Sequence, residues 1–233
     1  MSDPSRPLAR TVSGIEAAAP ATDTAAPATD TAAPTARAAP ATATTFLISP
    51  ASLHGVRGRR LLAPGASGVW PRRLRGGAPI GELFTAVSSL YFRGKLAYAL
   101  RFGGAGGTLV IAPGVGLVTP EWRLDREAAL RMSEIRVRSS EDAYRRPLEQ
   151  ALRRLLDETG GDFVFLGSLA TDRYLAVLAP LLGSRLLTPA ALYGMGNMRR
   201  GSVLLEAAES GEELEYVPCR PPQARRSKRP PER

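Results

Sequence analysis

Short apolar runs separated by longer amphipathic stretches constrain the fold of this chain more than any other feature. The runs fall at residues 45–49 (TFLIS), 108–112 (TLVIA), 162–166 (DFVFL) and 185–187. Helical spacing of apolar residues occupies 80–90, 92–102, 141–158 and 170–182. Buried runs that alternate with helices are typical of a parallel sheet covered on both faces. We therefore predict an α/β fold, with a mostly parallel sheet and helices on both of its faces.

Composition divides the chain into three parts. Residues 1–44 are dominated by Ala, Pro and Thr, and the heptapeptide AAPATDT occurs twice there and begins a third time. Proline in every repeat opposes a helix, and too little apolar surface is present to form a core. We predict a disordered arm at 1–44, a single α/β domain at 45–217 and a disordered basic tail at 218–233. Within the domain, residues 202–206 and 213–217 are predicted to form a small closing hairpin.

Charge and rare residues exclude several classes of site. The chain carries 31 basic and 22 acidic residues, which gives a formal net charge of +9. Such a balance suits an anionic partner such as nucleic acid or a nucleotide, although it also serves simple solubility. With one cysteine and one histidine, the chain lacks the ligands of a cysteine zinc cluster or a histidine-rich metal site. We predict no metal and no cofactor.

Localisation follows from what the sequence lacks. No apolar run approaches the roughly 20 residues that a membrane-spanning helix needs. The first residues do not form a charged leader followed by an apolar core. We expect a cytoplasmic protein with no membrane partner, and the sequence does not indicate an oligomeric state.

The residues that follow three predicted strands are small or carry hydroxyl groups. In parallel sheets ligands bind beyond the carboxyl ends of the strands, and small residues let backbone amides approach an anion. We predict that the exits meet in a ligand pocket. Strand-to-helix turns also need such residues for purely structural reasons, which is the alternative. The binding candidates at these exits are Gly114, Gly116, Gly167, Ser168 and Thr171.

Two basic segments add further binding candidates. Tyr91 could stack on a base while Arg93 and Lys95 contact phosphate. Asn197 and Arg199 lie in a glycine-flanked segment that is predicted to be a loop able to hold phosphate. The alternative is that the aromatic residues belong to the core and the cations are solvated.

Catalytic candidates are sparse. Ser49, His54 and Asp172 are the polar groups at the strand exits that could serve as nucleophile, acid or base. No acid–base constellation is evident among them. The Gly114-x-Gly116 pair lacks the third glycine of a dinucleotide fingerprint, and the chain has no Walker loop. Whether the protein is an enzyme is left open by the sequence.

Three segments resemble the YaaA-like proteins, which are linked to peroxide stress and DNA protection, and related small bacterial α/β domains. They are residues 46–51 (FLISPA), 89–99 (SLYFRGKLAYA) and 109–120 (LVIAPGVGLVTP). The resemblance spans about residues 46–205. It implies an α/β fold, an electropositive groove and DNA association, without an established catalytic mechanism.

The sequence therefore leads to one main hypothesis and two alternatives. The main hypothesis is a bacterial α/β protein that binds a phosphate-bearing ligand, nucleic acid or nucleotide, at the strand ends. The first alternative is an enzyme acting on a nucleobase or nucleoside, by cleavage of a glycosidic bond or by base transfer. The second is an interaction module without catalysis, for which residues 1–44 form a tether.

Overall fold

The computed structural model describes residues 44–88, 90–104, 106–169 and 171–220. The arm predicted at 1–44 and the tail predicted at 218–233 lie almost entirely outside these described residues. The larger sheet is built from six strands, which are β1 (Thr45–Ile48), β3 (Thr108–Ala112), β4 (Gly116–Val118), β6 (Phe163–Leu166), β7 (Leu186–Pro189) and β8 (Tyr216–Pro218). Their order is β4-β3-β1-β6-β7-β8.

The predicted α/β fold is confirmed. The four inner strands, β3, β1, β6 and β7, run parallel, and the edge strands β4 and β8 are antiparallel to their neighbours. A second sheet pairs β2 (Ala78–Pro79) with β5 (Arg123–Leu124). The helices are α1 (Val56–Leu62), α2 (Val69–Arg75), α3 (Ile80–Ser88), α4 (Leu90–Gly103), α5 (Arg126–Glu134), α6 (Asp142–Glu158), α7 (Asp172–Leu182) and α8 (Asn197–Ser210).

Alternate side chains of the inner strands enter two separate cores. In β1, Phe46 and Ile48 join a cluster with side chains of α3, α4 and α8, whereas Leu47 joins a cluster with side chains of α6 and α7. Successive side chains of a strand point to opposite faces, so each face needs its own layer of helices. This alternation explains why β1 reads as an unbroken apolar run.

The predicted C-terminal hairpin is only half present. Residues 213–217 overlap β8, which pairs with β7, but residues 202–206 lie inside α8 and not in a strand. Leu204 and Ala207 are buried at helical spacing, and Gly211 ends the helix in the left-handed conformation with φ of 77°. The prediction for 202–206 was therefore wrong because a short apolar window fits either period. The sheet also extends beyond the predicted domain boundary at 217, because the Cys219 amide donates a hydrogen bond to the Leu186 carbonyl.

The described helices include none that is both long and apolar enough to cross a bilayer.

Candidate functional site

The carboxyl ends of β1, β3 and β6 open into one pocket with a volume of about 550 Å³. Pro50 follows β1, Pro113 follows β3 and Thr171 lies beyond β6, and all three line the pocket. β1 lies between β3 and β6 in the sheet, so the chain order reverses at this point. Ligands of α/β proteins bind at such a reversal. The sheet therefore brings three distant chain segments to the same cavity.

Cationic side chains line this pocket. Arg136, Arg138 and Arg173 are among its lining residues, and no Asp or Glu is among the described residues that line it. Arg136 and Arg138 project from a segment, 135–139 (IRVRS), in which Ile135 and Val137 pack on the core beside α6 and α7. The pocket therefore favours an anion.

The pocket arginines are not engaged in the ion pairs of the described chain. Those pairs involve arginines of α2, α5 and α6 only. Arg173 Nε donates to Thr171 Oγ1 at 2.9 Å, which holds the start of its side chain beside the pocket. His54 Nε2 lies 3.4 Å from the Ile135 carbonyl oxygen. The guanidinium groups of Arg136, Arg138 and Arg173 thus retain charge that no described carboxylate neutralises.

Behind the pocket wall lies a lysine that the fold buries almost completely. Lys95 on α4 is 2 % exposed, and its Nζ donates to the Ser49 carbonyl oxygen at 2.6 Å. The same nitrogen is 2.8 Å from Ser49 Oγ, and Ser49 is itself buried at the end of β1. No carboxylate of the described chain pairs with Lys95. Burial lowers the pKa of Lys95 to about 7.

Two aromatic rings enclose the lysine amine. Its Nζ lies 4.6 Å from the centre of the Tyr91 ring and 5.0 Å from that of Phe92. Burial raises the pKa of the Tyr91 hydroxyl, an effect that the nearby Arg200 guanidinium partly opposes. Arg200 is also buried, and its Nε donates to the Leu192 carbonyl at 3.1 Å. The two rings and the Ser49 oxygens therefore surround the amine, and no described carboxylate pairs with it.

Tyr174 connects this buried pair with the pocket. Its side chain is one of the pocket-lining residues, and its hydroxyl interacts with the Ser49 side chain. Burial raises the pKa of Tyr174 to about 12, so its hydroxyl stays protonated at neutral pH. The three polar groups Lys95, Ser49 and Tyr174 therefore run in series from the core to the pocket wall.

The residues predicted on α4 are not placed as surface ligands. Tyr91 is 8 % exposed and Lys95 is buried beneath its ring, whereas Arg93 is exposed and is not a pocket-lining residue. The side of α4 that carries Tyr91 and Lys95 packs inward because it faces the sheet and α8. Neither Tyr91 nor Lys95 is available to a ligand on the outer surface.

The glycines predicted to bind through their amides make close packing possible. A β-carbon on Gly114 would meet Ile135, and one on Gly116 would meet the Pro147 backbone of α6. A β-carbon on Gly167 would overlap the ring of Phe165. Close packing therefore accounts for glycine at positions 116 and 167, whereas at position 114 only the tip of a flexible side chain would have to move. Gly114 nevertheless borders the site, since Pro113 and Ile135 both line the pocket.

The other predicted site residues are divided between the pocket and the surface. His54 and Thr171 line the pocket, and Asp172 is exposed in the first turn of α7 without lining it. Ser168 lies in the turn between β6 and α7. Asn197 and Arg199 are exposed in the first turn of α8, so the segment predicted as a loop is helical.

Sequence reasoning missed the pocket arginines and the contact between Ser49 and Lys95. Arg136 and Arg138 belong to an alternating Ile-Arg-Val-Arg pattern, which indicates an extended segment with one charged face. Lys95 is one of two lysines in a chain with 31 basic residues, and that rarity was its sequence signal. Neither pattern reveals which distant residue each side chain meets.

The described residues contain no group of three or more His, Cys, Asp or Glu side chains arranged to hold a metal ion. Comparison with family models, with curated proteins and with solved structures finds no match to this chain. The chemistry of the site must therefore be inferred from its own residues.

Proposed function

We propose that this protein binds a phosphate-bearing ligand, a nucleotide or a nucleotide unit of a nucleic acid, in the pocket at the strand ends. One observation carries the proposal, namely that Arg136, Arg138 and Arg173 line a pocket to which the described part of the chain contributes no carboxylate. Guanidinium groups bind phosphate oxygens through paired, charge-assisted hydrogen bonds.

The size of the pocket supports a ligand of nucleotide dimensions. A volume of about 550 Å³ lies within the ~300–1,000 Å³ range that is usual for small-molecule sites. Phe84, Met132 and Ile135 provide apolar lining for an uncharged part of the ligand. The cationic groups would then fix the phosphate while the apolar wall accepts a base or sugar.

The phosphate contacts differ from those that the sequence suggested. Arg93 and Lys95 on α4 were the expected phosphate ligands, but the pocket is lined by arginines of the segment 135–139 and of α7. We therefore assign the phosphate to Arg136, Arg138 and Arg173, with Thr171 and His54 at the same wall. The stacking that was expected of Tyr91 is not part of the proposal because that ring is buried.

Titration calorimetry with three probes tests the proposal. The probes are inorganic phosphate, a nucleoside monophosphate and a short single-stranded oligonucleotide, each measured at several salt concentrations. Arg136→Ala, Arg138→Ala and Arg173→Ala should each weaken binding about tenfold or more, since a hydrogen bond to a charged group contributes about 1.5–3 kcal/mol. Binding should also weaken as salt increases.

Arg153→Ala is the matched control. Arg153 is an exposed arginine on α6 that does not line the pocket, so its removal changes the net charge equally without touching the site. Failure of all three probes to bind would overturn the proposal. A loss with Arg153→Ala as large as that with Arg173→Ala would show that charge alone, and not the pocket, attracts the ligand.

A further inference from the structure

Lys95 is buried in a way that its structural contacts do not require. A buried amine that lacks a carboxylate partner carries a desolvation cost, which an apolar side chain of similar length would avoid. Its two hydrogen bonds both go to Ser49, one to the carbonyl oxygen and one to the hydroxyl. The hydrogen bonds of the buried amine therefore converge on one residue, at the end of the central strand.

The arrangement suits an amine that accepts a proton. In the neutral form, the nitrogen keeps one N–H bond directed at the Ser49 carbonyl, 2.6 Å away, and has a lone pair for the Ser49 hydroxyl at 2.8 Å. A serine hydroxyl becomes an effective nucleophile when an adjacent base takes its proton, and lysine is one of the bases that proteins use for this purpose.

Ser49 is 3 % exposed and does not itself line the strand-end pocket, but residues next to it do. Pro50, the residue after Ser49, lines the strand-end pocket, and so does Tyr174, whose hydroxyl interacts with the Ser49 side chain. A protonated tyrosine hydroxyl at this position can donate a hydrogen bond to negative charge that develops beside Ser49. The pair is thus adjacent to the cavity that holds the arginines.

We propose that Ser49 is a nucleophile, that Lys95 is its general base, and that the pair accepts a phosphoryl or acyl group from an anionic ester in the strand-end pocket. The Ser49 oxygen forms the new bond to phosphorus or to the carbonyl carbon, and its proton passes to Lys95 Nζ. The bond to the leaving group breaks, and the leaving group takes the electron pair and then the proton from Lys95. No electron donor or acceptor is needed. Water can later cleave the serine ester: Lys95 takes a proton from the water, the water oxygen bonds to phosphorus or to the carbonyl carbon, and the Ser49 oxygen leaves and takes the proton from Lys95.

The proposal goes beyond ligand binding and has a separate test. A fluorophosphonate with an alkyne tag is the probe: its phosphorus bonds to an activated serine oxygen, fluoride leaves, and the adduct is located by peptide mass spectrometry. Ser49 should be labelled in the full chain, and Ser49→Ala should remove the adduct. Since fluorophosphonates need no phosphate subsite, this result is independent of the calorimetry that tests the proposed function.

Ser52 provides the matched control. It is exposed and lines the same pocket, but the described structure gives it no lysine partner. Ser52→Ala should leave the labelling unchanged. No adduct on Ser49 in the wild-type chain, or an adduct on Ser52 to the same extent, would overturn the proposal.

Lys95→Met separates catalysis from a purely structural role. This change removes the base while preserving side-chain length, and it should slow labelling at least 100-fold, in keeping with the ~10²–10⁴-fold contribution of a positioned base. An unchanged rate in a folded variant would overturn the role of Lys95. Folding of the variant is checked by its thermal unfolding.

The pH dependence of the labelling rate in the wild-type chain also tests whether Lys95 is the base. This measurement needs no substitution, so it stands even if the variant does not fold. Among the described residues, the titratable or charged groups around the pair are Tyr91 on α4, Tyr174 and Arg173 on α7, and Arg200 on α8. Burial raises the pKa of both tyrosine hydroxyls, so they keep their protons near neutral pH. The labelling rate should therefore rise about tenfold from pH 6 to pH 8 and then level off. A rate that is flat, or that rises without levelling off, would contradict the assignment.

Discussion

Gly94 on α4 and Gly201 on α8 lie so close that a β-carbon on either would meet the backbone of the other helix. Side chains at these positions would hold the helices apart, whereas two glycines let the backbones touch. Gly94 precedes Lys95, and Gly201 follows Arg200, the cation beside Tyr91. The contact between the helices therefore fixes how deeply Lys95 is set behind the pocket.

Gly94→Ala should destabilise the protein by about 3 kcal/mol, because the new methyl group meets backbone that cannot move aside. Gly160→Ala is the control, since a methyl group added to Gly160 would find no neighbour within 4 Å and its change should stay within about 1 kcal/mol. Urea unfolding followed by tryptophan fluorescence measures both. Equal losses in the two variants would contradict the close contact.

Lys95 should make the stability of the fold depend on pH. Its pKa is about 7 in the folded chain and 10.5 when exposed, so between these values the unfolded chain binds more protons. Stability must then rise with pH across this window, and by about 2 kcal/mol between pH 7 and pH 9. Urea unfolding of wild type and Lys95→Met at both pH values isolates this contribution, because all other groups are shared. Parallel pH dependences of the two proteins would show that Lys95 does not titrate in the window.

Gly114→Ala should alter the pocket more than it alters stability. Gly114 has a φ of 82° and Gly65 a φ of 69°, so alanine at either position should cost about 1–2 kcal/mol of backbone strain. A methyl group on Gly114 displaces the tip of the Ile135 side chain, whereas one on Gly65 meets nothing within 4 Å. We expect similar unfolding curves for the two variants, with weaker nucleoside monophosphate binding for Gly114→Ala alone. Equal binding by both variants would exclude Ile135 from the ligand contact.

Asp125→Ala should loosen the helix that leads to the pocket arginines. The Asp125 side chain accepts a hydrogen bond from the Ala128 amide at 2.8 Å and caps α5. Loss of such a cap costs about 1 kcal/mol, and Asn retains most of it. Thermal unfolding of Asp125→Ala and Asp125→Asn measures the difference. A loss of equal size in both variants would assign the effect to charge and not to the hydrogen bond.

The sequence predicts the sheet well because a strand buried on both faces has a recognisable local sequence pattern. Residues 108–112 match β3 at both ends, and the predicted runs at 45–49 and 162–166 differ from β1 and β6 by a single terminal residue. A fully buried strand is apolar at every position, and its flanking Gly or Pro shows where it ends. The predicted helix at 141–158 matches α6 to within one residue, because a long apolar stripe is also recognisable in the local sequence.

The sequence patterns of the remaining elements are weaker. α1 and α2 have 7 residues each, with glycine or proline inside them, and tertiary contacts support them more than their own propensity does. The strand prediction at 202–206 failed because five residues are too few to distinguish a period of 2 from one of 3.6. These elements can be assigned only when the residues that pack on them are known.

The sequence predicted where the candidate site lies, but not the arginines that line it or the contact between Ser49 and Lys95. The rule for parallel sheets led to the strand exits, and residues after β1, β3 and β6 do line one pocket. Its arginines come from elements beyond those exits, and Ser49 meets Lys95 across 46 residues of chain. Contacts of this kind depend on the angle between α4 and the sheet, which no local pattern encodes.

β1 tolerates no change of length. It lies between two parallel neighbours, with Phe46 opposite both Thr108 and Val164, and its alternate side chains enter different cores. Adding or deleting one residue would move every following side chain of the strand to the opposite face of the sheet, and so into the other core. Natural variants of this protein should therefore gain and lose residues in the loops while this four-residue strand keeps its count.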